Sequence, residues 1–297
     1  MTDLISPRNK FSRLAKISES LTEKAEIIWR NRLVILGLFI VLCTVVAAVF
    51  GPMLITHDPF EMDFSQRFMG ASARNLLGTD LYGRDIFSRL ILGAGIAMRV
   101  AAGSVVLALI IGVPLGAISG YYGSWLDTLI MRFMDGLLAF PGRLLAIVLV
   151  AVTGPTFTTL YIAIASNAIP SYARIVRAGV LSQKEKEYVE AARTTGESDF
   201  TVLFNEILPN CLAPVLVLTT LSFANAILAE ASLSFLGVGF PPPAPSWGLM
   251  LSEARQFMET APHMAIFPGL AIFLCILGFN LLGDGLRDIF DPRQYDR

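Results

Sequence analysis

Leu33–Ile55, LVILGLFIVLCTVVAAVFGPMLI, runs 23 residues without a charge. At about 1.5 Å of rise per helical residue it crosses a hydrocarbon layer of about 30 Å with length left for tilt. A secretory signal would carry an apolar region of only about 7–15 residues and end in a small-residue cleavage site. This stretch instead follows 32 polar and basic residues, so it reads as a membrane span.

The composition agrees. Of 297 residues, 54% are hydrophobic and 16% charged, against about 25% charged in a soluble domain, so an ordinary soluble enzyme is excluded. Lys+Arg 23 against Asp+Glu 24 leaves a net charge of -1, which gives no field to attract a polyanion, and nucleic acid is not an expected partner. Cys43, Cys211 and Cys275 are far apart, each in or beside an apolar run, and His57 and His263 share no ligand spacing. They read as packing residues, with no metal or cofactor expected on this chain.

Further apolar segments lie near 93–121, 125–153, 156–178, 211–238 and 263–284. They are rich in Ala, Leu and Ile without two-residue alternation, and an open sheet in lipid could not satisfy its backbone. The expected fold is an all-α integral membrane protein of six transmembrane helices. The expected layout is a segment 1–32, a membrane domain 33–284 and a tail 285–297. Residues 1–32 hold seven Lys/Arg, 174–210 five and 285–297 three, whereas 56–92 hold four and 239–263 one. The positive-inside rule then places both termini and the 180–210 loop in the cytoplasm, with loops 56–92 and 239–263 outside. Pro114, Pro141, Pro170 and Pro268 should bend their helices.

The 180–210 loop carries two helical patterns. Ser182 with Glu185 fits a capping box, and Gly196 suits a left-handed closing residue. Ser198 can cap a second helix on which Phe200, Leu203, Phe204 and Ile207 form an apolar stripe, stopped by Leu208-Pro209. Ala191 and Ala192 permit close approach of a partner, with Glu190 and Arg193 at the edge.

Glu190-Ala191-Ala192, three residues, Gly196, then Leu208-Pro209 resembles the EAA loop of permease subunits in ATP-binding-cassette (ABC) importers. The isoleucine usual two places before Leu-Pro is Glu206 here, with Ile207 beside the Leu-Pro. Gly78-Thr79-Asp80-Leu81-Tyr82-Gly83-Arg84-Asp85-Ile86-Phe87-Ser88-Arg89, Ala231 to Gly239, Trp247-Gly248, and Asn280 to Asp288 are similar to the second ("C") membrane subunit of the dipeptide/oligopeptide/nickel permease family. The resemblance implies the type I (MetI-like) importer permease fold in a cell membrane. It also implies a heterodimer with a paralogous permease, two ATPase subunits or domains that use ATP and Mg, and an extracytoplasmic binding protein. Glu190, Ala191, Ala192, Arg193 and Gly196 would then form the ATPase-coupling contact. Peptide-like cargo is expected, with nickel, glutathione or opines as alternatives.

Asp80–Arg84 and Asp85–Arg89 are i,i+4 pairs that suggest an amphipathic helix on the outer face, and Trp247 an interfacial anchor. Asp80, Arg84, Asp85 and Trp247 are candidate contacts for the binding protein, with a purely structural role as the competing reading. Ionisable groups within spans cost about 2.5–3.5 kcal/mol each and should face protein or water. Arg132 and Asp135 can pair on one helical face, Arg143 lies in the same segment, and Asp135, Glu230 and Asn167 are candidates for the translocation path. No phosphate-binding loop of the G-x-x-x-x-G-K-[ST] type occurs, so this chain is not expected to hydrolyse nucleotide. An ion-gradient-driven secondary transporter is the closest rival, but paired halves are not visible.

Overall fold

The computed structural model describes residues 32–290. Nearly all of the expected segment 1–32 and residues 291–297 of the expected tail lie outside them. Among the described residues the regular elements are helical, apart from one bridge between Thr79 and Asp85. The principal helices are α1 (Arg32–Leu54), α2 (Ile86–Tyr122), α3 (Ser124–Ala139), α4 (Gly142–Thr153), α5 (Phe157–Gln183), α6 (Glu187–Thr194), α7 (Leu212–Phe235), α8 (Trp247–Ala254) and α9 (His263–Phe290).

Local chemistry sets the boundaries. Asp85 accepts the Ser88 N–H at 2.8 Å and starts α2, and Thr156 accepts the Thr159 N–H at 3.2 Å and starts α5. At 37 residues α2 is about 55 Å long, so it projects well beyond a single hydrocarbon layer. Pro114, Pro170 and Pro268 lie inside helices, as does Pro52. Pro141 does more: with Gly142 it separates α3 from α4, and the two axes meet at 83°. Phe140 before it is extended, as a residue preceding proline prefers. The expected span 125–153 is therefore two helices meeting at an angle rather than one continuous helix.

Each of the six apolar segments falls on helix, but four helical runs are long and apolar enough to cross a membrane: α1, α2, Asp199–Phe235 and α9. The bent α3–α4 pair supplies a fifth if it is one crossing. α5 does not meet that standard, because Ser166, Asn167, Ser171, Arg174 and Arg177 interrupt it. Its polarity goes with enclosure, since Leu160, Ala165, Tyr172, Ala173, Val176 and Val180 are completely buried. α1 is the opposite case. It buries little beyond Val34, Gly37 and Gly51 and leaves Phe39, Val49 and Met53 bare, as a helix facing lipid should.

Two apolar cores stack along the bundle. One joins the first half of α2 to α4, the start of α5, α7, α8 and α9, including Val100, Leu160, Ile227 and Met264. The other joins the second half of α2 to α3, α5, α6 and the segment that leads into the start of α7, including Met134, Tyr172, Val189, Leu203 and Val215. α2 and α5 approach most closely along Gly112, Gly116 and Gly120, which repeat every four residues and so share one helical face. α7 meets α9 through Phe223 and Phe279, stacked with centroids 5.0 Å apart and planes 7° from parallel.

The loop readings need correcting in three places. Residues 80–85 are a turn rather than the start of an amphipathic helix, because Asp85 is the cap of α2. α5 continues to Gln183, so Ser182 lies within it and the Ser182–Glu185 capping box does not form. Leu208-Pro209 also does not end the second pattern. A π-helical segment Val202–Ile207 and a 3-10 turn Leu208–Cys211 carry the chain directly into α7. Pro209 cannot donate an N–H, and the wider π turn, with the Leu208 N–H donating to Leu203 five residues back, lets the chain pass it without stopping.

Candidate functional site

α6 is buried along one side and bare along the other. Val189 is completely buried and Ala192 half-buried in the second core. Glu187, Glu190, Ala191 and Thr194 point outward. The Arg193 guanidinium lies 5.2 Å from the Tyr121 ring centroid, and the Tyr121 hydroxyl donates to the Asp199 carboxylate at 2.7 Å. α6 is thus tied to the far end of α2 and to the segment leading into α7. The closure is the expected one: Gly196 has φ +83°, its N–H donates to the Arg193 carbonyl at 3.1 Å, and the Glu197 N–H donates to the Ala192 carbonyl at 3.3 Å. That is a Schellman motif. Ser198 accepts the Thr201 N–H at 3.2 Å, as expected of a cap. Leu203 and Ile207 are buried, but Phe200 is 69% exposed and lies beside Phe204, 4.6 Å between centroids.

Of the three path candidates, Asp135 borders an open cleft of about 500 Å³ between α3 and α5, and Asn167 borders a smaller, more enclosed cavity. That cavity is about 320 Å³, lies between α4, α5 and α7, and is bordered also by Arg143, Ser171, Ser222 and Asn225. Glu230 points elsewhere. It is 1% exposed and accepts hydrogen bonds from the Ser234 and Ser246 hydroxyls, both at 2.8 Å, fastening α7 to the start of α8. Asp135 pairs with Arg174 of α5 at 2.7 Å rather than with Arg132, because α5 lies across that face of α3. Asp127 receives two bonds from Arg177, both 2.6 Å, so two ion pairs pin α3 to α5. Neither arginine partner was foreseen, although Asp127 and Asp135 stand eight apart and Arg174 and Arg177 three apart on facing helices.

At the opposite end of the bundle the four expected binding-protein contacts are interior. Asp80, Arg84, Asp85 and Trp247 are 5%, 1%, 3% and 4% exposed, so their side chains offer no surface to a partner. The Asp80–Arg84 pair exists, at 2.6 Å, within a turn. Arg84 also donates to Glu253 of α8 at 2.7 Å. Arg89 turns away from Asp85 toward Asp80 and Glu253, at 3.7 and 3.8 Å, and donates to the Pro59 and Pro243 carbonyls at 3.3 Å. Asp85 instead accepts from Asn75 and the Ser88 N–H. Burial pushes the Glu253 carboxyl upward, while Arg84 and Arg89 hold it down. Trp247 is no interfacial anchor: its indole N–H donates to the Leu90 carbonyl at 2.9 Å, over Gly93 of α2. The sequence carried one unused signal for this cluster, Glu253 in a segment, 239–263, that holds few charges.

Comparison with known proteins fits this arrangement. A family described as binding-protein-dependent transport system inner membrane component matches residues 112–295. The N-terminal TM domain of oligopeptide transport permease C matches residues 27–74. A dipeptide transport system permease protein from Alkalihalophilus pseudofirmus is 47% identical over 265 residues, covering 89% of this chain and 87% of its own. A glutathione transport system permease protein from Pectobacterium atrosepticum is 45% identical over 258 residues, covering 86% and 85%. A putative peptide transport system permease protein from Brucella abortus is 43% identical over 294 residues, covering 99% and 98%.

Proposed function

The chain belongs to the family of binding-protein-dependent transport system inner membrane components, and from that premise we propose that it is the permease subunit of an ATP-driven importer of peptide-like solutes. α6 is the lever. The observation that carries this reading is its one-sided mounting: Val189 is sunk in the core, Glu190 and Ala191 are bare, and Gly196 closes the helix in a fixed geometry. A helix so held transmits a push from a partner to α2, to α5 and to the segment that leads into α7, because Arg193 lies against Tyr121, Tyr188 donates to Gln183 and Asp199 accepts from Tyr121.

In this reading the 180–210 loop and both termini face the cytoplasm, where two ATPase subunits or domains bind ATP and Mg and press on Glu190, Ala191, Ala192 and Arg193. α5 and the bent α3–α4 pair complete six crossings. A paralogous permease encloses the open sides of the cavity, and a binding protein delivers solute at the end formed by residues 55–85 and α8. ATP-driven closure of the motor shifts the helices between inward- and outward-open states.

A cysteine at Ala191 should cross-link to the ATPase subunit in the purified complex, and uptake into vesicles should stop when ATP is removed with an ion gradient intact. Uptake that persists on the gradient alone would sink the reading. Gly196→Val is expected to separate hydrolysis from transport. No atom lies within 4 Å of a Cβ at this position, so the effect comes from the backbone, where a positive φ costs a β-branched residue about 1–2 kcal/mol. Peptide uptake per ATP should fall severalfold, and Gly196→Asn, which tolerates that conformation better, should retain more. Equal uptake per ATP in both variants and the wild type would remove Gly196 from the coupling device.

A further inference from the structure

The cavity between α4, α5 and α7 has a charge inventory that selects its ligand. Its polar border is made of uncharged groups, Asn167 and Ser171 of α5 with Ser222, Asn225 and Ser232 of α7, and a single charged residue, Arg143. On each helix these residues recur at intervals of three, four or seven positions, so on each helix they lie along one face. No carboxylate borders the cavity.

Arg143 is exposed on this chain and borders the cavity, so its charge is free to meet whatever enters there. It is the second residue of α4, in a stretch, Leu144–Val152, that is otherwise wholly apolar. Among the described residues no acid pairs with it, whereas Arg174 and Arg177 on α5 each have one. In the importer reading, where the α3–α4 pair is one crossing, a charge at its break costs about 2.5–3.5 kcal/mol against lipid, so water, solute or protein faces it. The break itself adds to the field. α4 begins anew at Gly142 after the 83° turn, and the start of a half-helix within the membrane carries unpaired N–H groups and partial positive charge. Gly142 has no side chain, and the Asn167 amide fills the space a Cβ would take, its Cγ 2.5 Å from that position. Guanidinium, helix start and amide therefore converge.

We propose that the break between α3 and α4 is an anion site in which Arg143, supported by Asn167, holds the free C-terminal carboxylate of a peptide in transit. This rests on the importer reading above and narrows it. A positively charged site repels a metal cation, so nickel is the cargo it disfavours, while peptides, glutathione and opines all carry carboxylates. The volume, about 320 Å³, is at the small end of ligand pockets, which span about 300–1,000 Å³. It suits a carboxylate with its neighbouring residue rather than a whole long peptide, so the site grips one end.

The test uses the complete complex, with its ATPases, paralogous permease and binding protein, in vesicles, with alanyl-alanine and its C-terminal amide as probes. The binding protein is common to all variants, so its own preference cancels when acid-to-amide uptake ratios are compared. Arg143→Gln is expected to lower that ratio about tenfold, the loss of one charge-assisted contact, and Arg143→Lys to keep most of it. Asn167→Asp, which leaves Arg143 in place and sets a negative charge against the incoming carboxylate, should also lower it. An unchanged ratio in Arg143→Gln and Asn167→Asp overturns the proposal, as does an equal fall in uptake of both probes. Failure of Arg143→Gln to assemble with the paralogous permease, with Asn167→Asp leaving the ratio unchanged, assigns the arginine to a carboxylate of that subunit and also overturns it. A wild-type complex that hydrolyses ATP yet imports neither probe refutes the peptide-importer reading itself, and is distinguished by needing no variant.

Discussion

Asp80→Ala is expected to destabilise the chain by about 3–5 kcal/mol, read as a lowered unfolding midpoint of the detergent-purified protein. Asp80 Oδ1 accepts the Tyr82 and Arg84 N–H groups at 2.8 and 3.0 Å, and Oδ2 accepts Arg84 Nε at 2.6 Å and faces Arg89 Nε at 3.7 Å. Two guanidinium groups, 1% and 0% exposed, are balanced by two carboxylates, Asp80 and Glu253. Deleting one acid leaves two buried cations with a single counter-charge and also frees the turn that leads into α2. The cluster joins residues 59, 80–89, 243 and 253, so its loss should unlace one whole end of the bundle and expose loop 55–85 to protease. A second variant separates charge imbalance from lost contacts. Arg89 Nε and Nη2 lack hydrogen-bond partners, so Arg89→Met removes an under-served cation, and the Asp80→Ala/Arg89→Met pair restores neutrality. The double variant should be less damaged than the sum of the two single ones. Additive losses, or an Asp80→Ala protein within about 1 kcal/mol of wild type, would show that the cluster does not hold this end together.

That cluster also marks where sequence reading stops. Apolar run length locates helices because the cost of unpaired backbone in lipid leaves few alternatives, and α1, α2 and α9 were legible on that ground alone. The Schellman closure at Gly196 and the cap at Ser198 were legible because they are local, needing only neighbours within five residues. Asp80 was paired correctly with Arg84 by spacing, yet its setting was not, since burial of the pair depends on Glu253, 169 positions from Arg84. The same distance effect misassigned Arg132 to Asp135, where Arg174 intervenes from α5. Glu230 looked like a path residue because an acid in an apolar helix is costly. The structure meets that cost with two serine hydroxyls, one of them in a loop beyond the helix. α5 shows the reverse, an interrupted apolar run that is nonetheless central, because enclosure by α2 relaxes the need for an apolar surface.

The contact between α2 and α5 yields the other large expected effect. Gly116→Leu should abolish a stably folded chain, and Gly116→Ala alone should cost about 1–3 kcal/mol, the usual range for overpacking, or more. A Cβ on Gly116 would fall on the Ala173 carbonyl, with the Ala173 Cα 2.9 Å away. Those are backbone atoms inside a helix, which cannot rotate aside as a side chain would. Gly112 and Gly120 make the same approach one turn away on each side, to Ile169 O at 2.8 Å and Arg177 O at 2.9 Å, so the helices cannot pivot about Gly116 without straining its neighbours. The function follows the packing. α5 carries Asn167 and Ser171 into the cavity and ends at Gln183, just before α6, so prising it from α2 displaces the solute face and the lever together. Gly136 supplies the control, since nothing lies within 4 Å of a Cβ there. Gly136→Ala should be neutral or stabilising by up to about 1 kcal/mol through helix propensity. Unfolding midpoints of the three purified variants decide the matter. If Gly116→Ala melts with the wild type, or Gly136→Ala is equally damaging, the close contact of α2 with α5 is not what holds the cavity and the lever in register.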